Sequence, residues 1–338
     1  PAAAIFAWLL AAIVWSAFGV VHEAEELAHR LGEPYGTLVL TLSIVVIEVA
    51  LISAVMLGAK GAPTLGRDTM FAVLMIVLNG VVGIGLIVGG ARHFAQRYNL
   101  RGAAGYLGVI IPLTVVPLVL PNFTSSTPDG SLTVAQAVSF SLFTILLYGA
   151  FLILQTGRHS QFFREPEDEG KGTSDPGSEP AARADEGNGG LLVHVGLLLA
   201  NILPIVILSK SLATVLDVGI ARLGAPPALG GILIAAVVFT PECITALRAI
   251  TANQLQRAIN LCLGAAASTL GLTIPAVLAI GLLTGQSVVL GLSPANMVLL
   301  ATTLLLSTVT FKGARTTMLE GAVHLSVFFV YIVLIFSP

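Results

Sequence analysis

TLSIVVIEVALISAVM, residues 41–56, is an apolar run with a single carboxylate, Glu48, near its middle. VVFTPECITAL, residues 237–247, repeats the arrangement in the second half of the chain, around Glu242. Both runs belong to apolar segments long enough to cross a bilayer, which takes roughly 20 residues of helix. An ionised carboxylate in hydrocarbon costs several kcal/mol, so an acid kept there marks a functional site. Two such acids, each in the second long apolar segment of its half, suggest a paired site at mid-membrane. Secondary transporters hold their ions there.

The rest of the chain supports a membrane setting. Of its 338 residues, 56% are hydrophobic and only 10% charged, against about 25% charged in a soluble domain. The fold class expected is an all-α polytopic membrane protein. Its ten helices run near residues 3–21, 36–58, 69–91, 103–121, 134–156, 191–209, 228–250, 258–284, 294–311 and 318–337. Between the fifth and sixth, the stretch REPEDEGKGTSDPGSEPAARADEGNGG (164–190) has no apolar face. It is rich in Pro, Gly, Ser and acid, the composition of a disordered linker. Its acids are irregularly spaced and lack an EF-hand pattern. The chain thus divides into a first five-helix unit (1–160), an acidic linker (161–190) and a second five-helix unit (191–338).

With loops alternating sides, Lys60, Arg67, Lys210 and Arg222 fall on one side and the other twelve Lys and Arg residues on the linker side. The positive-inside rule then puts the linker in the cytoplasm and both termini outside. An outside N-terminus without a leader leads us to expect one further helix before residue 1 in the full-length protein. Five helices per half make the second half enter the membrane from the opposite face, giving two inverted repeats. In each half the acid is followed by a charged loop, with Arg67 or Arg257, and then by a helix of small residues. Asn79 and Ser268 follow those arginines by 12 and 11 positions.

Several oxygens accompany the acids. Thr41 and Ser43 precede Glu48 and Ser53 follows it; Thr240 and Thr245 flank Glu242. Pro241 cannot donate a backbone hydrogen bond, so it leaves a carbonyl free one turn back. A carboxylate beside loose carbonyls and hydroxyls makes a site for a hard cation such as sodium, potassium, calcium or magnesium, and argues against soft metals. The same carboxyl holds either a proton or a cation, and that exclusion is the core of proton-coupled antiport. The plainer reading of each Glu is a protonated side chain acting as interhelical glue. HEAEELAHRLGEPYG (22–36) is dense in His and acid but lacks HExxH. It reads as the solvated end of the first helix, with Glu25, Glu26 and His29 as candidates for gating or ion recruitment. Glu320 and His324, one helical turn apart, are expected to bridge a helix end, with a proton relay as the sharper alternative. Gln155 and His159 read as interfacial, and Cys243 and Cys262 as small core residues without disulfide or zinc spacing.

At this point the chain resembles the calcium/cation antiporter superfamily, specifically the Ca2+/H+ exchanger branch (CAX) and its bacterial ChaA-type members. The residues that carry the likeness are AEELAHRLGEPYGTLVLTLSIVVIEVALI and FTPECITALRAITANQLQRAINLCLGAAAS. Two segment ends add to it, LLYGAFLILQTGRHSQFF and FKGARTTMLEGAVHLSVFFVYIVLIF. The resemblance implies two inverted five-helix repeats after an extra first helix, an acidic cytoplasmic linker, and Glu48 and Glu242 as the ion-binding acids. The chain departs from the branch in one respect. GNxxE becomes Ile44-Val45 before Glu48 and Val238-Phe239 before Glu242, so both Asn amides are missing. Ser268 stands near the place of a glutamine. Fewer oxygens weaken the case for calcium, which takes 6–8 ligands, and leave room for sodium or potassium.

The function expected is therefore secondary active exchange of Ca2+, Na+ or K+ for H+ by alternating access, in the bacterial inner membrane. Glu48 and Glu242 bind the cation and protons in turn, and Thr41, Ser43, Asn79, Thr240, Thr245 and Ser268 are the weaker candidates for nearby oxygens. The expected partners are the lipid bilayer, inorganic cations and protons, with no cofactor and no nucleic acid. A passive cation channel using the same acids is the alternative. An intramembrane hydrolase is disfavoured, since no HExxH or GxSG-type motif occurs.

Overall fold

The structure is a computed structural model that describes residues 2–32, 35–58, 63–127, 129–166, 188–226, 228–313 and 315–337. It is built from helices: α1 (Ala2–Leu31), α2 (Tyr35–Gly58), α3 (Leu65–His93), α4 (Leu100–Leu118) and α5 (Val134–Thr156), then α6 (Asn188–Leu223), α7 (Ala228–Thr251), α8 (Leu255–Thr284), α9 (Pro294–Thr310) and α10 (Met318–Phe336). Among the described residues, eight helices are long and apolar enough to cross a membrane, and Val39–Ala54 and Pro294–Thr310 are shorter apolar helices. The largest differences from the expected spans lie at α1, which continues ten residues further to Leu31, and α6, which runs on to Leu223. Most of the expected linker, residues 167–187, lies outside the described residues. On its near side Ser160–Phe163 forms a short 3-10 helix, and on its far side α6 has already begun at Asn188.

Helix ends follow local chemistry. Thr133 and Gln136 form a capping box at the start of α5, and Ser293 caps α9 ahead of Pro294. Each device satisfies backbone N–H groups that a helix start leaves without partners. A two-residue antiparallel ladder pairs Gln96 with Thr316 and Arg97 with Arg315, joining the end of α3 to the start of α10.

Burial separates a centre from a periphery. α3 and α8 are mostly buried, whereas α6 turns Leu192, Leu199, Leu203 and Ile207 outward. Exposed leucines along a helix of this length face lipid rather than water. The central helices need small residues to approach their neighbours. A Cβ on Gly321 of α10 would lie 2.7 Å from the Gly83 carbonyl of α3, and one on Gly231 of α7 would lie 2.8 Å from the Thr69 nitrogen of α3. Both central helices also widen into a π-helical stretch, Met75–Val81 in α3 and Thr269–Thr273 in α8. Such stretches rotate the side chains that follow and concentrate at functional sites.

Candidate ion site

Glu48 projects from α2 and is fully buried. Its Oε2 accepts hydrogen bonds from Thr269 Oγ1 (3.0 Å) and Thr273 Oγ1 (2.9 Å). These two hydroxyls stand one turn apart at the two ends of the π-helical stretch of α8. Glu48 Oε1 has no partner. Glu242 projects from α7 and is buried apart from a small exposed fraction, 6%. Its Oε2 likewise has no partner. α2 and α7, which carry the two acids, pack against each other. A buried acceptor without a donor is costly, and here the cost falls on one oxygen of each acid.

Glu242 lines a cavity of about 330 Å³. Thr41, Ser268 and Ala265 line it beside the acid; Tyr106, Tyr148 and Gln155 line its middle. Gln155 donates to the Tyr106 hydroxyl. The outer end lies on the linker side, where Ser160, Phe163, Arg164, Arg257 and Asn260 surround it. Phe163 packs edge-on against Tyr106 and Phe151, and its carbonyl accepts a 2.6 Å bond from Asn260. The turn Ser160–Phe163 is thereby fixed at the mouth. Glu48 is not on the cavity wall.

The other candidates are dispersed. Thr41 and Ser268 reach the cavity, although the Ser268 hydroxyl is bonded to Ala265 of its own helix. Ser43, Thr240 and Thr245 donate to backbone carbonyls of Val39, Ala236 and Pro241 on their own helices. Ser53 does the same toward Val49. Asn79 is fully buried, but its amide donates to Thr303 (2.8 Å) and its oxygen faces His324 Nδ1 (3.1 Å). Thr310 completes that network at His324 Nε2, 3.0 Å away. The expected bridge between Glu320 and His324 is therefore corrected. Glu320 turns back to cap Thr317, while His324 points into the protein toward Asn79. The cap wins because Glu320 is the N3 residue of α10, where its carboxylate meets an open backbone N–H. Glu25 and Glu26 are half-buried on α1 and His29 is exposed.

Sequence reasoning missed Thr269 and Thr273, and it missed an ion pair between Glu23 and His194 (2.6 Å) that ties α1 to α6. A signal for the first existed: two threonines four residues apart share a helix face. Among the described residues no three His, Cys, Asp or Glu side chains converge on one point. The oxygens that the described residues bring near the two acids are carboxylate and hydroxyl oxygens. Oxygen ligands of this kind suit hard cations.

Comparison with known proteins adds to this geometry. The sodium/calcium exchanger protein family matches residues 1–157 and 193–337. The sodium-potassium/proton antiporter ChaA of Escherichia coli is 38% identical over 329 residues, covering 97% of this chain and 87% of that protein. The protein y4hA of Sinorhizobium fredii is 41% identical over 322 residues, covering 95% and 85%. Among solved structures, native YfkE superposes with a TM-score of 0.77 at 18% identity, covering all of this chain and 93% of that one. The H+/Ca2+ exchanger CAX gives a TM-score of 0.71 at 14% identity, covering 98% and 82%.

Proposed function

Because the chain belongs to the sodium/calcium exchanger protein family, we propose that it is a secondary active antiporter exchanging sodium, potassium or calcium for protons. The observation that carries this reading is Glu242: a buried carboxylate with a partnerless oxygen on the wall of a cavity that Arg164 and Arg257, beside the linker, also line. A cation entering from the linker side meets that oxygen. When the carboxyl is protonated, its proton passes to water in the cavity as the cation takes its place. Glu48, behind it and also short of one partner, is the second carboxylate of the same exchange. Alternating access follows when one group of helices moves against the rest and presents the loaded acids to the other side. We further read the ten helices as ten crossings in two inverted five-helix halves, set in a bacterial inner membrane with the linker cytoplasmic. The family and the ChaA relative favour exchange over the passive-channel alternative.

The test is dequenching of a pH dye in everted vesicles carrying an imposed proton gradient, with sodium, potassium and calcium added in turn. Cation-driven proton release is expected in the wild type and lost in Glu48→Gln and Glu242→Gln, with both variants present in the membrane. Full exchange by either variant would sink the two-carboxylate mechanism.

A further inference from the structure

The cavity that leads to Glu242 is a cation route, yet the charged side chains at its mouth are cationic. Arg164 and Arg257 line the outer end. Both are exposed, and neither meets a carboxylate in an ion pair among the described residues. Among the described residues the acid nearest to Arg164 in sequence is Glu165, and beside Arg257 the helix start presents the backbone N–H groups of Gln256 and Arg257. Those N–H groups belong to the first turn of α8, whose helix dipole adds further positive potential at the same point. Between mouth and acid the polar lining is neutral: Thr156, Gln155, Tyr106, Asn260 and Ser268. Among the described residues that line the cavity, a cation bound for Glu242 from this side therefore passes two guanidinium groups before it meets a carboxylate.

Resting on the antiporter reading, we propose that Arg164 and Arg257 form a charge filter that favours monovalent over divalent cations. The potential at the mouth acts once on Na+ or K+ and twice on Ca2+, because electrostatic energy scales with ionic charge. Local concentration follows that energy exponentially. Whatever factor the arginines impose on sodium, they impose its square on calcium. The relation holds for any other fixed charges nearby, since a substitution reads only the change in potential that it makes. Coordination at Glu48 and Glu242 then acts on a cation population already sorted by charge.

The measurement is the half-saturating concentration of Na+ and of Ca2+ for dye dequenching in everted vesicles, at constant ionic strength, for the full chain. The variants are Arg164→Gln, Arg257→Gln and the double variant, with Arg164→Lys and Arg257→Lys as charge-preserving controls. Each neutral variant is expected to lower both values, with the calcium fold-change close to the square of the sodium one. A roughly threefold gain for sodium would thus accompany about ninefold for calcium. The lysine variants should keep the wild-type ratio. Equal fold-changes for the two ions, no change, or the same shift in the lysine variants would overturn the filter while leaving the exchange reading intact. The single variants give separate readings, so poor accumulation of the double one does not remove the test. A wild type that releases no protons with any of these ions overturns the antiporter reading, and the filter with it.

Discussion

Around Glu48 the protein supplies donors; around Glu242 it supplies space. The offset of 194 residues that separates the two acids also relates Met75 to Thr269 and Asn79 to Thr273, so the two π-helical stretches fall at matching places. Thr269 and Thr273 give both hydroxyls to Glu48. In the other half the positions hold a thioether and an amide already engaged with Thr303 and His324. Val77, Val81 and Phe239 share a small apolar void with Glu242. A carboxylate that accepts two hydroxyl bonds is held in one orientation, which Glu242 lacks. In the proposed exchange the pair divides the work: one acid is held ready, and the other is left for whatever enters the cavity.

The largest effect should come from Glu242→Gln, with exchange falling at least about a hundredfold. Carboxyl-reactive carbodiimide added from the linker side should modify Glu242 and spare Glu48, as mass spectrometry of the modified peptides would show. Modification of Glu48 first would break the proposed difference in access. Next in size is the pair Thr269→Val and Thr273→Val, which strips Glu48 of its donors without changing its charge. Hydrogen bonds to charged groups contribute roughly 1.5–3 kcal/mol each, so the double variant should need at least about ten times more cation for half-maximal dequenching. An unchanged value would mean that the clamp does not act on the exchanging form.

Smaller changes in exchange are expected where the structure places hydroxyls and amides away from both acids. His324→Ala leaves the Asn79 oxygen and the Thr310 hydroxyl buried without their partner. Removing one partner of a buried pair costs about 1–3 kcal/mol. Thermal unfolding in detergent should begin several degrees lower, with cation affinity within about threefold of the wild type. A large affinity loss with unchanged unfolding would instead bring this network into the ion site. Thr240→Ala should be the mildest, under about twofold in exchange rate, because its hydroxyl only returns to the Ala236 carbonyl on its own helix.

What could be read in advance was what hydropathy exposes. Glu48 and Glu242 stand out because ionised groups are rare in runs of apolar residues, and the helices follow from the same runs. Thr269 and Thr273 were hidden for the opposite reason: a threonine in an apolar helix is ordinary, and most threonines here do bond back to their own backbone. One of the two partners of His324, Asn79, lies 245 residues away, beyond the reach of any local pattern. Glu320 was misassigned because helix spacing places it near His324, whereas its N3 position gave it a backbone partner closer still. Arg164 was used only to count charge by side and Arg257 also to mark the repeat; their place on one cavity wall requires the packing of α5, α8 and the turn between α5 and the linker.

The ladder between residues 96–97 and 315–316 also bears on synthesis. α3 is the most buried of the spans, and much of its cover is α10, which begins more than 220 residues later. A growing chain must therefore insert its own centre long before the covering helix leaves the ribosome. Until then Gly83 faces something other than Leu325, and Asn79 must find another partner, lipid offering none. A ribosome stalled before α10 should leave a nascent chain that membrane quality-control proteases recognise through that uncovered seam.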